Sequence, residues 1–520
     1  MLSILSFLAN AQLQEGEFYI WYKIGALYEG NSIIQTQDGG YGVTGRADTT
    51  YGSHGHIYFG KLDASGNLTL SKLIGGTGWD NGSSIVQTRN GGYTIAGTTS
   101  SYGAGQNDVY IVNLDSTGNL NWSKTIGGTG NDNGNSIITT KDGGYIVAGS
   151  TNSFGAGGYD VFVLKLDSLG TLNWTKTIGG SGDDNGISIV GTKDGGFAIA
   201  GSTSSYGAGQ NDVYVIKLDS VGNLKWTKTI GGTTADYGNS LVQTQDGGYI
   251  ITGETSSYGA GGYDVYVVRL DSTGSLKWTK TIGRTGDDWG YSIVQSKDSS
   301  FLIVGSTKDY GTLTSYVYCI KLDLNGNLIW AKELAGQSRT GSGASSIVQT
   351  KDGGYALTGS LDEDAMGDGL LFITKLDSLG NQCLSVNNAG IVNSGGTESS
   401  GGIIGNAGGI TISDSGKISN GGILTTLCKT FTSVNNLMPY RNDISIYPNP
   451  CSNILHIDFE NQSNLSSIQI TDIIGRVILT NRCQLTTNYY SIDVSTLAQG
   501  MYFMRINSPT RTEVKKFIKE

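Results

Sequence analysis

A unit of about fifty residues recurs through most of this chain, and this repetition limits its fold more than any other feature. An Asp-Gly-Gly-Tyr element or close variant begins at Asp38 and returns at offsets of 52, 52, 52, 52, 52 and 54, so it occurs seven times. A Lys-Leu-Asp element or close variant also occurs seven times. A third series consists of Trp122, Trp174, Trp226, Trp278 and Trp330. A period of this length is typical of propellers and solenoids.

Each repeat is predicted to hold four β-strands. In the copy that spans 187–231, alternation and β-branched or aromatic enrichment predict strands at 187–192, 197–203, 213–218 and 224–230. Tight turns rich in Asp and Gly join the first pair and the last pair, because Gly supplies positive φ and Asp accepts hydrogen bonds from the nearby backbone. Four strands in about 50 residues favour a propeller blade over a solenoid repeat.

The two ends of the repeat region favour a closed ring. The seventh copy stops after Asn381 without a Trp-bearing strand, and residues 18–25 have the sequence of that missing strand. Pairing the two would remove the open sheet edges that invite aggregation. We therefore predict an all-β fold, in which 12–383 form a seven-bladed β-propeller of four-stranded blades that the N-terminal strand closes.

Composition and charge exclude several other classes of protein. Glycine supplies 81 of 520 residues without the period of collagen, and the frequent aromatic residues provide apolar surface to bury. The formal charge of −10 and the lack of a basic patch argue against nucleic acid as a partner. No apolar run reaches the roughly 20 residues of a membrane-spanning helix. Residues 1–11 resemble the apolar part of a secretory signal, with an A-x-A site at Ala9-Asn10-Ala11.

The repeat resembles a known bacterial family. Residues 179–186 (Gly-Gly-Ser-Gly-Asp-Asp-Asn-Gly), the Ala-Gly-Ser-Thr of 200–203 and the Val-Ile-Lys-Leu-Asp of 215–219 follow one another in the order of the SBBP-type β-propeller repeat. The resemblance covers about 18–383. It implies the fold and an extracytoplasmic setting, but no reaction, because propellers carry many unrelated functions.

The C-terminal part of the chain has a different character. Residues 384–440 are rich in Gly, Ser and Asn and are predicted to be a linker, although their interspersed isoleucines could permit a few short strands. In 441–520, strand-like runs at 454–459, 466–471, 476–480, 489–494 and 501–507 predict a small β-sandwich.

Four motifs in 441–520 resemble the type A C-terminal sorting domain of type IX secretion. They contain Tyr447, Pro448, Asn449, Pro450, Gly475, Gly500, Tyr502, Lys515 and Lys516. The resemblance implies export through the type IX translocon of a Gram-negative bacterium and processing by its sortase-like machinery. The cargo would then be released, or be attached to lipopolysaccharide at the outer-membrane surface.

Cysteine usage gives no disulfide framework, because the chain has only five cysteines. Cys319 lies in an apolar run and is predicted to be a small buried side chain. Cys383 with Cys428, and Cys451 with Cys483, could each form a disulfide in an oxidising compartment.

Two series of residues recur on the face that is predicted to carry the longer loops, where recognition is expected. One consists of Asp80, Asp132, Asp184, Asp236 and Asp288, and is expected to surround a channel mouth. The other consists of Tyr51, Tyr102, Phe154, Tyr206, Tyr258 and Tyr310. Carboxylates with aromatic neighbours could bind calcium or a sugar. The interpretation of both series as turn architecture is favoured, because a residue that every blade needs would recur at the same spacing.

Specific recognition or catalysis needs unlike residues to converge, so departures from the repeat are the better candidates. These departures are Trp79, Trp289, Tyr237, Arg284, His54 and His56. A metal site built on the two histidines would need further ligands. No Ser-His-Asp set, Walker loop or zinc motif is visible, and the five arginines of the propeller occupy different parts of their repeats.

We therefore expect a secreted or surface-anchored monomer that acts as a binding or scaffold module. Its ligand would be a glycan or a protein, and no cofactor is required, although calcium could bind the Asp series. The alternative is a propeller hydrolase or lyase that acts on polysaccharide through Asp184 or Asp288 and a neighbouring polar group.

Overall fold

A computed structural model defines the fold. It describes residues 18–23, 27–48, 54–308, 311, 314–338, 342–362 and 369–381 of the repeat region, seven short segments between 385 and 429, and residues 444–447, 452–459, 467–472, 476–481, 489–507 and 512–520. The chain divides into two compact units, 1–431 and 432–520. Residues 1–11, and with them the predicted signal, lie outside the described residues.

The repeat region is built from β-strands. They are β1 (Phe18–Lys23), β2 (Leu27–Gln35), β3 (Tyr41–Asp48), β4 (His56–Leu62), β5 (Leu68–Gly75), β6 (Asp80–Gln87), β7 (Tyr93–Thr99), β8 (Asp108–Leu114), β9 (Leu120–Gly127), β10 (Asp132–Thr139), β11 (Tyr145–Thr151), β12 (Asp160–Leu166), β13 (Leu172–Gly179), β14 (Asp184–Gly191), β15 (Phe197–Thr203), β16 (Asp212–Leu218), β17 (Leu224–Gly231), β18 (Asp236–Gln243), β19 (Tyr249–Thr255), β20 (Asp264–Leu270), β21 (Leu276–Gly283), β22 (Asp288–Gln295), β23 (Phe301–Lys308), β24 (Ser315–Leu322), β25 (Leu328–Ser338), β26 (Gly343–Gln349), β27 (Tyr355–Asp362) and β28 (Gly369–Leu376).

These strands form repeated antiparallel sheets, each from four strands of the repeat region. Six sheets take four consecutive strands, and the seventh combines β26, β27 and β28 with β1. In that sheet Ile20 pairs with Ile373, the pairing predicted for the N-terminal strand. The second and third strands are the most buried, as in β15 and β16, in which every side chain is buried. The core therefore lies between the faces of neighbouring sheets.

One hydrogen bond recurs at every junction between neighbouring sheets. The hydroxyl of a Ser in the first strand accepts the backbone N–H of an Ile or Leu in the first strand of the next sheet. The donor and acceptor pairs are Ile85 and Ser32, Ile137 and Ser84, Ile189 and Ser136, Leu241 and Ser188, Ile293 and Ser240, Ile347 and Ser292, and Ile33 and Ser346, at 3.2–3.4 Å. The last pair joins β2 to β26, so the contacts between sheets form a closed cycle.

The tryptophans of the fourth strands explain why a glycine recurs at one turn position of the repeats. Trp174 lies against the turn between the third and fourth strands of the next sheet, where Gly222 adopts a φ of +85°. A methyl group at Gly222 would lie 2.7 Å from Cη2 of Trp174. Glycine is therefore required both by the left-handed backbone and by the indole.

We expect Gly222→Ala to destabilise the protein more than Gly195→Ala. Gly195 has a similar φ of +84° but no other atom within 4 Å of an added methyl group. The control substitution should cost the roughly 1–2 kcal/mol of a left-handed alanine. Gly222→Ala should add about 1–3 kcal/mol for overpacking against Trp174. Denaturant midpoints measure both, and equal midpoints would show that the indole contact contributes nothing.

Residues 385–429 differ from the predicted linker, because seven short strands there pair with the repeat region. They are β29 (Ser385–Asn387), β30 (Ile391–Asn393), β31 (Thr397–Ser399), β32 (Ile403–Gly405), β33 (Ile410–Asp414), β34 (Lys417–Ser419) and β35 (Ile423–Lys429). Each adds a fifth strand to one sheet. The physical reason is the outer edge of each sheet, whose unpaired backbone groups accept a further strand.

The C-terminal unit is the predicted small β-sandwich. Its strands are β36 (Ile444–Tyr447), β37 (Ile454–Phe459), β38 (Ser467–Thr471), β39 (Val477–Asn481), β40 (Tyr489–Asp493), β41 (Gly500–Asn507) and β42 (Thr512–Lys519). They form a three-stranded sheet, β36-β37-β40, and a four-stranded sheet, β39-β38-β41-β42. Leu455, Ile470, Ile492, Met504 and Phe517 are among the side chains of their common core.

Two further sequence predictions concern cysteines and membranes. Cys319 is buried and unpaired, and burial raises the pKa of its thiol to about 12. The two predicted disulfides lie outside the described residues or side chains. In the part of the chain that the structure describes, no helix has the length and apolar character needed to cross a membrane.

Candidate functional site

The predicted Asp series caps turns at the junctions between sheets. Each of these carboxylates is fully buried and accepts the backbone N–H of the residue four positions earlier, at 2.7–2.8 Å. In four of the five, the same oxygen also accepts a Ser hydroxyl from the loop between the second and third strands, as Asp184 does from Ser205 at 2.6 Å. The residues are Asp80, Asp132, Asp184, Asp236 and Asp288. Their burial supports the turn interpretation over an exposed ring at a channel mouth.

A second Asp series, which the sequence analysis missed, faces the first. Asp160 begins β12, and a methyl group at Gly179 would lie 2.1 Å from its Oδ1 and 2.5 Å from Oδ2 of Asp184. Burial raises the pKa of Asp160, and the Asp184 carboxylate raises it further. The same arrangement recurs at Asp108, Asp212 and Asp264. The spacing of 52 residues between these aspartates was the available signal.

The aromatic series also joins loops to strands. The hydroxyl groups of Tyr102, Tyr206 and Tyr258 donate to backbone carbonyls of the preceding junction at 2.8–3.1 Å. Their half-buried rings pack against aromatic side chains of the third strand, with centroids 5.6–6.1 Å apart. Tyr51 and Tyr310 lie outside the described residues.

Departures from the repeat converge around Trp79, between the first two repeat-region sheets in chain order. Trp79 is 46% exposed, the highest fraction of any tryptophan among the described side chains. The guanidinium carbon of Arg46 lies 5.0 Å from the indole centroid, and the His54 ring meets the indole edge-on at 6.1 Å. Arg46 stands where other repeats have Thr98 or Ser150. We call Glu29, Arg46, Asp48, His54, His56 and Trp79 the Trp79 cluster.

Charged partners hold the Trp79 cluster together. Arg46 lies 3.4 Å from Oε1 of Glu29 and 3.6 Å from Oδ1 of Asp48. His56 takes the place of the second Asp series and lies 4.0 Å from Oδ2 of Asp80. Burial raises the pKa of Asp48, while the Arg46 charge lowers it. The cluster therefore combines an accessible indole with a guanidinium, two imidazoles and two carboxylates.

A second group of departures surrounds Glu254, which takes the position of Arg46 four repeats later. Asn239 donates to Oε2 of Glu254 at 2.5 Å, and burial raises the pKa of this carboxyl to about 7. Tyr237 accepts a hydrogen bond from Asn211 at 3.3 Å. The predicted site residue Trp289 is half-buried in β22. Trp79 precedes β6 and Trp289 lies in β22, so the structure places them in different repeats rather than in one site.

Arg284, another residue that departs from the repeat, forms hydrogen bonds across a junction between sheets. Its guanidinium donates to Glu333 at 2.5 Å and to Thr307 at 3.1 Å. Across the described residues, no group of three or more His, Cys, Asp or Glu side chains is arranged to hold a metal ion.

We expect Glu254→Gln to stabilise the protein at pH 8. The folded pKa of about 7 exceeds the ordinary value of 4.5, so the contribution of this carboxyl to stability is complete below pH 4.5 and is lost as pH rises through 7. This shift corresponds to about 3 kcal/mol, which the glutamine variant should retain at pH 8. Thermal unfolding between pH 4.5 and 8 measures the difference. Identical pH profiles for parent and variant would contradict the raised pKa.

The sorting motifs occupy connected parts of the C-terminal unit. Tyr502 donates to the carbonyl of Ala498 at 2.8 Å, and its ring stacks on Phe517 at 5.6 Å. Tyr447 pairs with His456 through the backbone, Gly500 begins β41, and Lys515 and Lys516 lie in the adjacent β42. Pro448, Asn449, Pro450 and Gly475 lie outside the described residues.

Known families match two parts of the chain. Residues 445–520 match the secretion system C-terminal sorting domain. Residues 244–276 match a β-propeller domain of unknown function, DUF5122. A sorting domain of this kind implies contact with type IX secretion machinery and a secreted or cell-surface location.

Individual proteins show more distant similarity. Regulatory protein FlaEY of Caulobacter vibrioides is 27% identical over 247 residues, which cover 42% of this chain and 25% of that protein. The chain thus spans about a quarter of this curated relative. Sqt1 from Chaetomium thermophilum is 13% identical with a TM-score of 0.39, covering 69% of this chain and 99% of that chain. The Pan2 WD40 domain of Neurospora crassa is 12% identical with a TM-score of 0.40, covering 70% and 97%.

Proposed function

We propose that this chain is a secreted or cell-surface seven-bladed β-propeller that binds a glycan through the Trp79 cluster. The closed cycle of Ser hydrogen bonds and the pairing of β1 with β28 support seven blades closed by the N-terminal strand. The convergence of repeat departures on one exposed indole carries the binding assignment. An indole offers apolar surface to a sugar ring, while Arg46, His54 and Glu29 offer hydrogen bonds at its edge.

The type IX machinery would export the protein, which would then be released or anchored to lipopolysaccharide as a monomer. The C-terminal motifs support this part of the proposal, and the SBBP-type identity of the repeat stays a prediction. A polysaccharide hydrolase or lyase has less support, because both Asp184 and Asp288 are buried within turns. Calcium binding by the Asp series also stays a prediction, which a calcium titration of the melting temperature tests.

A glycan array probed with the full chain tests the binding proposal. We expect Trp79→Ala to reduce binding at least tenfold and Trp289→Ala, the matched control, to leave it unchanged. A reducing-end release assay on the bound glycans distinguishes binding from hydrolysis. Equal binding by the Trp79→Ala variant, or binding of a protein instead of any glycan, would overturn the proposal.

A further inference from the structure

The short strands of 385–429 pair with the sheets in the reverse of the order in which the sheets occur along the chain. β29 pairs with β25, β30 with β21, β31 with β17, β32 with β13, β33 with β9, β34 with β5 and β35 with β1. The segment therefore touches every sheet once, in one complete circuit. We call 385–429 the belt, and the outer edges of the strands that it pairs with the rim.

The sequence of the belt has a period that matches this circuit. Successive belt strands begin 6, 6, 6, 7, 7 and 6 residues apart. A glycine stands directly before each strand from β30 to β35, at Gly390, Gly396, Gly402, Gly409, Gly416 and Gly422. Six extended residues span at most about 20 Å, which limits how far apart successive docking positions can lie. An unstructured spacer needs no such period.

The belt crosses the place where the circuit of sheets begins and ends. β34 lies on the sheet of β2–β5, and β35 lies on the sheet that contains β1 and β28. β1 is consequently paired on both sides, with β28 and with β35. Removing β1 from its sheet therefore requires two ladders to break rather than one.

We propose that the rim is a strand-docking surface whose partner is the belt of the same chain, and that the docked belt locks the circuit closed. Docking uses backbone hydrogen bonds, the mode of recognition in β-strand addition. Five of the seven belt strands make only three residue pairs each, so each step is weak and the lock depends on their sum. This inference does not depend on the ligand of the Trp79 cluster.

Proline substitutions in the full chain test the proposal, because proline cannot donate its backbone nitrogen to a strand ladder. The test variant combines Val392→Pro, Glu398→Pro and Ile404→Pro, at the middle of β30, β31 and β32. The matched control combines Ser394→Pro, Ser400→Pro and Asn406→Pro, which lie between belt strands in the sequence. Hydrogen exchange is then followed in peptides that cover the paired rim strands β21, β17 and β13.

We expect at least tenfold faster exchange in these rim strands in the test variant, with interior strands β12, β16 and β20 unchanged and the control like the parent. Equal exchange in both triple variants would overturn the proposal. A second measurement dilutes the parent protein. Rim protection that persists at nanomolar concentration supports the belt of the same chain as the partner. Protection that disappears on dilution would assign the rim to a second copy and overturn the proposal.

Discussion

A chain that lacks residues 12–25 is expected to melt at a much lower temperature and to associate into oligomers. The deletion removes β1 and with it five residue pairs to β28 and six to β35. Both of those strands then present unpaired edges, which favour intermolecular strand pairing. At about 1 kcal/mol for each lost residue pair, a loss of about 10 kcal/mol would lower the melting temperature by about 10 °C in a protein of this size.

The control for this deletion ends at Glu17 and keeps β1 intact. It should melt like the parent, since the closing ladder is retained. A synthetic peptide with the sequence of 18–23 should restore part of the stability of the longer deletion by mass action. An unchanged melting temperature together with a monomeric elution profile would show that β1 does not close the ring.

Removal of 441–520 is expected to abolish surface delivery in the native host while leaving the repeat region folded. The sorting domain packs around its own core of residues such as Leu455, Met504 and Phe517, which lie in a separate compact unit. Its loss should therefore remove the export signal without exposing the core of the repeat region. Cell fractionation and surface proteolysis measure delivery, and thermal unfolding measures the fold.

A point variant separates the signal from the bulk of the domain. Lys515→Ala with Lys516→Ala is expected to retain the strand β42, so this variant tests whether the positive charges of these two lysines contribute to export. The match of 445–520 to a sorting domain predicts that the full deletion is retained in the periplasm. Surface delivery of the deletion at parental levels would contradict the assignment.

The sequence allowed the regular elements to be predicted because each repeat carries local signals. The strand predicted at 197–203 is β15, and the neighbouring predictions differ from β14, β16 and β17 by at most three residues at an end. Turns with Gly and Asp mark these ends directly. The same reasoning located five of the seven strands of the C-terminal unit, but not β36 and β42.

The remaining features depend on contacts that are distant in sequence. Asp160 and Asp184 come from different sheets, and only the junction brings their carboxylates together. The belt strands are too short to show alternation, and their Gly-rich composition is also that of a linker. Their structure is decided by the sheet edges that receive them, a tertiary effect that outweighs local propensity.

The recurrent Ser hydrogen bond between sheets has a consequence for how such a protein diversifies. Because every joint uses the same hydroxyl and the same amide, each repeat presents its neighbours with interchangeable connections. A residue away from these connections can therefore change without altering the fit of that repeat to the next. Trp79 and Glu254 are such changes. Each gives one repeat a side chain that the other repeats lack, while the Ser hydrogen bonds to the neighbouring repeats stay the same.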